Sequence, residues 1–253
     1  MNPSDATSLV RDWLLDQGAD LPEATDLLPA LAAQLGAVGV PVDRMLVATL
    51  IVHPQADAYG IEWSKESAVA STVVQPRRRF EAIRYPNNPI DRTNGRTTAL
   101  HLRLEPGESD PVLGGLARAG YRDFMAMPLV IGGCFKGAVT LATRAESGFH
   151  ADHAMVFQGC MGALRAVLRP HITALVQRTL LRAYLGHDAG DRVHQGQVAR
   201  GDGETLRTAI WFSDLRGFTN LTATLPRATL LGLLNDVFEV LVNSVHAHGG
   251  QVL

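Results

Sequence analysis

The residues best suited to chemistry lie near the C-terminal end of the chain, where an acidic side chain follows an apolar run. Residues 208–212 (Thr-Ala-Ile-Trp-Phe) are β-branched or aromatic for the most part, which predicts a buried strand. Asp214 comes just after this run, and Gly217 permits a tight turn before a helical pattern. A carboxylate suits a hard cation such as Mg2+. Free N–H groups of a turn and a helix start suit phosphates. The sequence therefore predicts a metal–polyphosphate site.

Residues 212–219 (Phe-Ser-Asp-Leu-Arg-Gly-Phe-Thr) resemble the opening motif of class III nucleotidyl cyclases, the adenylate and guanylate cyclases. Two further blocks follow in the order that the family carries them, Leu-Asn-Asp-Val-Phe at 234–238 and His-Gly-Gly-Gln-Val at 248–252. The resemblance implies conversion of ATP to cyclic AMP and pyrophosphate with Mg2+ or Mn2+. ATP rather than GTP is expected only because it is the commoner substrate of the family.

The same resemblance assigns roles to individual residues of the motif. Asp214 would be the first metal ligand, with the backbone carbonyl of Leu215 beside it. The backbone amides of Gly217, Phe218 and Thr219 would face the triphosphate. Because class III sites form between two chains, the resemblance also implies a homodimer.

The chain ends at Leu253, before the positions where the family carries a base-reading lysine and a Gly-Asp-Gly turn with the second metal-binding aspartate. Two metal ions are needed to activate the 3′-hydroxyl and to hold the leaving pyrophosphate. We therefore expect this chain to be inactive by itself, as the front part of a cyclase. The alternative is a non-catalytic protein that binds a ligand or dimerises and so regulates a cyclase. Whether the end at Leu253 is natural stays open.

The bulk composition excludes several classes of protein. A formal net charge of −2 argues against a nucleic-acid binder, which would carry a basic surplus. The two cysteines give no disulfide framework, and the N-terminus lacks the basic and apolar regions of a signal peptide. No apolar run is judged long enough to span a membrane. We therefore expect a cytoplasmic protein without nucleic-acid or membrane partners.

The first part of the chain predicts helices followed by an antiparallel sheet. The expected elements are helices over 4–17, from 22 to 38 and over 110–119, strands over 44–53, 59–63, 98–104, 123–131 and 135–142, and a long polar loop over 64–94 that contains Arg77, Arg78 and Arg79. This order points to an α+β sensor fold. Residues 124–129 and 137–141 resemble the last two strands of a GAF domain, and a PAS-like sensor is the alternative.

GAF-like domains often bind a small molecule between the sheet and the loops that face it. The expected lining of such a sensor pocket is Trp63, His101, Tyr121 and Phe124, and nothing in the sequence fixes a ligand. A cyclic nucleotide is one possibility, and a sensor that only transmits or dimerises is another. His150 and His153 stand three residues apart, a spacing that can place two metal ligands on one helix face.

The remaining segments predict a helical connector. An apolar stripe over 151–185 fits a helix that pairs with a second copy, with a kink or break at Pro170, and the glycine-rich residues 185–196 suggest a hinge. The expected domains are therefore a GAF-like sensor over 1–149, a connector and hinge over 150–200, and an incomplete, ferredoxin-like cyclase domain over 201–253. That last segment is expected to pack poorly or to pair with another chain, and its helix over 225–246 to expose apolar surface.

Overall fold

The chain divides into two units, Met1–Val176 and Gln177–Leu253. A computed structural model describes residues 1–50, 56–76, 88–93, 96, 98–131, 135–197, 199, 208–250 and 252. The arginine run at 77–79 of the predicted polar loop lies outside these residues, as do residues 132–134 between the predicted strands over 123–131 and 135–142.

Met1–Val176 is built on a six-stranded antiparallel sheet with the strand order β3-β2-β1-β6-β5-β4. The strands are β1 (Arg44–Leu50), β2 (Ala56–Ser64), β3 (Ala70–Pro76), β4 (Leu100–Arg103), β5 (Asp123–Ile131) and β6 (Phe135–Thr143). The helices are α1 (Pro3–Asp16), α2 (Ala24–Ala37), α3 (Pro111–Arg118) and the first part of α4 (Ala151–Leu185). The expectation of an antiparallel sheet flanked by helices is confirmed.

The sheet buries a different set of residues on each face. On β5, Met125, Met127 and Leu129 join a core with the apolar residues of α1, α2 and α4. Phe124 and Ala126 join a second core with residues of α3 and β4. Successive side chains of a strand point to opposite faces, so this alternation assigns each position to one core. The first is called the helical face below, and the second the cavity face.

The helices begin and end at residues with identifiable roles. The first helix was expected to begin at Ser4, but Asn2 caps α1, because its Oδ1 accepts a hydrogen bond from the Ser4 amide at 2.7 Å. Asp110 caps α3 by accepting from the amides of Val112 and Leu113, each at 2.9 Å. Gly39 follows α2 with a φ of +91°, the left-handed conformation of a helix stop.

Two expectations for this unit are wrong. The predicted loop over 64–94 contains β3, an edge strand whose Ser71 and Thr72 are exposed. An edge strand pairs with only one neighbouring strand, and its faces need be only partly covered. It can therefore contain many polar residues, which is why the sequence pattern did not predict β3. Pro170 does not break α4, which is helical from Ala151 to Leu185. Proline removes one backbone hydrogen bond, and the buried Leu168 and Ile172 anchor the helix on both sides of it.

The described part of Gln177–Leu253 contains helices and no strand. It holds the end of α4, then α5 (His187–His194), α6 (Phe218–Thr224) and α7 (Arg227–Ala247). Residues 208–212 do not form the predicted buried strand, and Ile210, Trp211 and Phe212 are 81%, 68% and 92% exposed. A strand needs a partner for its backbone groups, and no described residue pairs with this run.

One helix among the described residues, α7, is long and apolar enough to cross a membrane by length and composition. This corrects the expectation that no apolar run reaches that length. Asp236 and Glu239 lie in the middle of the helix, where a charge within a bilayer is costly. None of its residues is buried, and Leu231, Phe238 and Val240 are exposed, as expected for this segment.

Gly137 on β6 offers a test of the strand packing. A Cβ there would lie 1.9 Å from the carbonyl oxygen of Ala48 on the neighbouring β1. We expect Gly137→Ala to lower the free energy of unfolding by about 1–3 kcal/mol because the strands must separate. The control is Gly162→Ala on α4, where nothing lies within 4 Å; it should gain roughly 0.5–1 kcal/mol. Urea denaturation followed by circular dichroism measures both, and equal stability of the two variants would contradict the described packing.

Candidate functional site

A cavity of about 110 Å³ lies on the cavity face of the sheet, over β1 and β6. The segment at 88–91 and the first turn of α3 contribute the opposite side. Its lining residues are Arg44, Leu46, Ala48, Thr49, Ala58, Asn88, Pro89, Ile90, Asp91, Val112, Phe124, Gly137 and Thr140. Most of this lining is apolar, so the cavity suits a molecule that is mainly apolar.

The segment at 88–91 holds its own shape. Asn88 Oδ1 accepts hydrogen bonds from the amides of Ile90 and Asp91, each at 3.0 Å. Asn88 Nδ2 donates to Asp91 Oδ2 at 2.7 Å. An asparagine that bonds the backbone two and three residues ahead stabilises a turn. This side of the cavity is therefore a preformed turn.

Some polar groups that line the cavity have a hydrogen-bond or ion-pair partner in the protein, and one has none among the described residues. Arg44 Nε lies 2.7 Å from Glu62 Oε1, so the guanidinium has a carboxylate partner. The buried Thr140 hydroxyl has no hydrogen-bond partner among the described residues. An unpaired buried hydroxyl is costly, and rotation about χ1 of a threonine exchanges its hydroxyl and methyl groups. Thr140 can therefore offer one hydrogen bond to a molecule in the cavity.

The structure does not bring the four residues of the predicted sensor pocket together. Phe124 lines the cavity. Tyr121 belongs to the same face but lies in its core, with the Arg144 guanidinium 4.4 Å above its ring; burial raises the pKa of Tyr121. Trp63 packs in the core of the helical face, and His101 pairs in the sheet with Met125 of that face. Whether any of the four contacts a ligand stays a prediction.

A buried carboxylate that the sequence analysis did not select lies beside the cavity. Asp123 is only 1% exposed, and its Oδ1 accepts a hydrogen bond from the amide of Phe124 at 2.9 Å. Its Oδ2 accepts from the amide of Phe149 at 2.9 Å. His101 Nε2 lies 2.9 Å from Oδ1, and Arg103 Nη1 lies 3.6 Å from Oδ2. The sequence does contain a signal for this residue, because Asp123 begins a strand that is otherwise apolar. A charged side chain buried in such a strand requires polar partners.

The histidines at the start of α4 act locally. His153 Nδ1 accepts a hydrogen bond from the His150 amide at 3.1 Å, which satisfies one free donor of the helix start. Burial, followed by the charge of His150, lowers the pKa of His153. In the described part of the chain no three metal-binding side chains cluster. Cys160 is buried on α4, and burial raises its pKa to about 11, so its thiol stays protonated at neutral pH.

The predicted hinge over 185–196 contains a short helix instead. Gly186 has a φ of +83°, and α5 then packs against the end of α4. A Cβ on Gly190 would lie 2.7 Å from the Arg182 amide nitrogen, so the two helices touch through their backbones. Asp191 accepts hydrogen bonds from Arg182 Nε at 2.6 Å and Arg178 Nε at 3.0 Å, which lower its pKa, Arg182 contributing most.

The cyclase-like motif keeps its turn and its helix. Gly217 has a φ of +75° and precedes α6, as predicted, and the Leu215 carbonyl accepts a hydrogen bond from the Phe218 amide at 3.1 Å. Asp214 and Thr219 are exposed. The motif therefore presents one carboxylate beside a left-handed turn, and its roles in metal and triphosphate binding stay predictions.

No protein-family model matches the chain. Two uncharacterized proteins of Mycobacterium tuberculosis are 29% and 30% identical to it over 113 residues. Each match covers 43% of this chain and 21% or 20% of the relative, so the chain spans about a fifth of the length of these relatives.

Solved structures with a similar arrangement cover about two thirds of the chain. A phycocyanobilin-bound GAF domain from a cyanobacterial phytochrome is 13% identical, with a TM-score of 0.46 over 68% of this chain and 97% of that one. The N-acylhomoserine-lactone-dependent LuxR-family factor CepR2 of Burkholderia cenocepacia is 18% identical, with a TM-score of 0.43 over 67% of this chain and 98% of that one.

The contact between α4 and α5 can be tested through Asp191. We expect Asp191→Asn to speed amide hydrogen exchange across 187–194, because the charge-assisted hydrogen bonds from Arg178 and Arg182 weaken. The control is Asp188→Asn, whose partner Arg192 lies on the same helix, an i,i+4 pair worth about 0.2–0.5 kcal/mol. Exchange measured by mass spectrometry should rise more in Asp191→Asn. A larger rise in the control would show that α5 is held otherwise.

Proposed function

We propose that Met1–Val176 is a GAF-like sensor domain that binds a small, mainly apolar molecule in the cavity and passes its occupancy to α4. The observation that carries the proposal is the cavity itself, a mostly apolar space with one buried, unpaired hydroxyl in its lining. An antiparallel sheet with helices on one face and a turn over the other supports it. The sensor role is the function that this geometry supports best.

The size of the cavity limits the ligand. An engineered apolar cavity of about 150 Å³ accepts benzene, and the present cavity is about 110 Å³. The cavity is smaller than that, so we propose a ligand no larger than about one ring, with a single group that exchanges a hydrogen bond with Thr140. A cyclic nucleotide is much larger, so it would require the turn at 88–91 to move away from the sheet.

The proposed output is a class III cyclase, in which occupancy of the sensor controls conversion of ATP to cyclic AMP. Support for this part is the motif at 212–219 and its two following blocks. Asp214 and the Leu215 carbonyl would bind Mg2+ or Mn2+, and the amides of Gly217, Phe218 and Thr219 would bind the triphosphate. The complete enzyme would be a cytoplasmic homodimer joined through α4, without nucleic-acid or membrane partners.

A regulator without catalytic activity is the second reading. The exposed apolar residues of 208–212 and α7 favour it, because they could contact another chain. The motif provides a single metal-binding carboxylate, whereas the cyclase reaction uses two metal ions. This chain alone is therefore proposed to be inactive in either reading.

Phenol tests the cavity, because it combines one ring with one hydroxyl. We expect phenol to raise the melting temperature of the chain, and Thr140→Val to weaken phenol binding roughly 3–10-fold by removing one hydrogen bond. Benzene binding should change little in the same variant. Thr72→Val, on the exposed edge strand, is the matched control and should bind phenol as the wild type does. Calorimetric titration decides, and undetectable phenol binding to the wild type would contradict the ligand site.

A cyclic AMP assay tests the output. With ATP and Mn2+, this chain should be inactive, and the same chain extended through a complete class III catalytic domain should be active. Asp214→Asn in the extended chain should lower activity at least about 100-fold, because a metal ligand is lost. The control is Asp188→Asn, a carboxylate outside the three cyclase-like blocks that pairs with Arg192. Inactivity of both chain lengths would favour the regulator, and activity of this chain alone would overturn the requirement for a second aspartate.

A further inference from the structure

The carboxylate of Asp123 joins three parts of the sensor unit. It stands at the start of β5, and it contacts His101 and Arg103 on β4. It also accepts a hydrogen bond from the amide of Phe149, two residues before α4 begins. Because the group is 1% exposed, water cannot replace any of these donors. Each donor therefore limits how far the others can move.

The cavity lies one residue away along the same strand. Phe124 lines the cavity, and its amide is itself a donor to Asp123 Oδ1 at 2.9 Å. Neighbouring residues of a strand point to opposite faces. Phe124 therefore contacts the cavity on one face of the sheet while Asp123 binds the start of α4 on the other. A shift of the Phe124 backbone is carried directly to the carboxylate.

The loop that leads into α4 leaves this contact little freedom. Gly148 has a φ of +66°, and a Cβ there would lie 2.3 Å from Asp123 Oδ2 and 2.2 Å from Arg103 Nη1. Arg103 Nη2 also donates to the carbonyl of Glu146 at 2.7 Å. The carboxylate and the guanidinium thus pack directly on the loop backbone. The Asp123 carboxylate is buried although Arg103 is half exposed. A buried acceptor that loses a hydrogen-bond partner is costly, so the loop is expected to follow the carboxylate.

From this geometry we propose that Asp123 is a positioning residue that couples occupancy of the cavity to the start of α4. The inference rests on the proposed sensor function and adds its route of regulation. A molecule in the cavity displaces Phe124, Asp123 moves with it, and the Phe149 amide and the first turn of α4 follow. The donors need not exchange partners, since the whole group shifts together.

A second carboxylate, Asp43, could instead couple the cavity to the loop before α4. Asp43, before β1, accepts hydrogen bonds from the Thr143 hydroxyl at 3.0 Å and from the Arg144 amide at 2.7 Å, at the other end of the loop between β6 and α4. Gly137 and Thr140 on β6 also line the cavity. Both donors bind the same oxygen, Oδ2, so Asp43→Asn removes the charge of this second support while its remaining oxygen can still accept both hydrogen bonds, and it leaves the contact to Phe149 untouched.

The experiment compares the full chain with its Asp123→Asn and Asp43→Asn variants. Asparagine at 123 retains one acceptor oxygen and turns an NH2 group toward donors, so it cannot accept from both Phe124 and Phe149. The cavity is perturbed in two ways, with phenol and with Val112→Phe, which places a ring at its mouth from a partly exposed position. Hydrogen exchange of the amides at 149–160 is the readout, and calorimetry measures phenol binding separately.

We expect either perturbation to change exchange at 149–160 at least about threefold in the wild type and in Asp43→Asn, and less than about 1.5-fold in Asp123→Asn. If Asp123 only stabilised the fold, Asp123→Asn would change the exchange rates measured without phenol or Val112→Phe. The change in exchange that each perturbation causes would stay as large as in the wild type. A full response in Asp123→Asn, no response in the wild type, or a response lost only in Asp43→Asn would each overturn the proposal.

Two further arms keep the outcomes distinct. If phenol does not bind, the ligand proposal fails, while Val112→Phe still decides the coupling. If Asp123→Asn does not fold, Arg103→Gln replaces it, since the Arg103 side chain is half exposed and, among the described residues, its polar contacts are with Asp123 and Glu146. A response in Arg103→Gln equal to that of the wild type would then count against the coupling, and a reduced response would support it.

Discussion

Coverage of the sheet on both faces is the constraint on which the unit Met1–Val176 depends. The helical face is closed by α1, α2 and α4, and the cavity face by α3 and the turn at 88–91. Because the side chains of a strand alternate, each strand must supply two different surfaces from one stretch of sequence. On β5 this requirement places a carboxylate that holds the start of α4 next to an aromatic ring that lines the cavity. Asp123 and Phe124 therefore lie next to each other on opposite faces of the sheet because the strand is pleated.

The alternation explains which parts of the unit could be predicted. β5 and β6 are predicted from their apolar patterns, and α1, α2 and α3 from apolar residues at helical spacing, with glycine stops after α1 and α2, because these features depend on residues close in sequence. The edge strand β3 was missed, since only one neighbour supports it and its residues are largely polar. A sequence pattern also cannot tell which face of a sheet holds a cavity. For that reason Trp63 and His101 were grouped with Phe124, although they lie on the other face.

In the second unit, too, the features that depend on neighbouring residues were predicted, whereas a feature that depends on distant residues was not. The left-handed turn at Gly217 and the helices that follow were predicted, because a glycine and the next few residues determine them. The strand at 208–212 was not realised, because backbone pairing depends on a neighbour elsewhere in the chain or in another molecule. Its apolar residues remain exposed in the described structure. The motif therefore describes a turn correctly while its proposed catalytic setting rests on the resemblance.

The buried charge at Asp123 is informative because stability alone does not favour it. Well-packed apolar groups are often as stabilising as a buried ion pair, or more so. Asp123 instead receives two backbone amides and lies beside two basic side chains, and it fixes the backbone of Phe149 relative to β5. An apolar side chain at 123 would fill the space but would leave both amides without an acceptor. What the carboxylate adds is a defined position for the Phe149 backbone at the helix start, which the proposed coupling between the cavity and α4 requires.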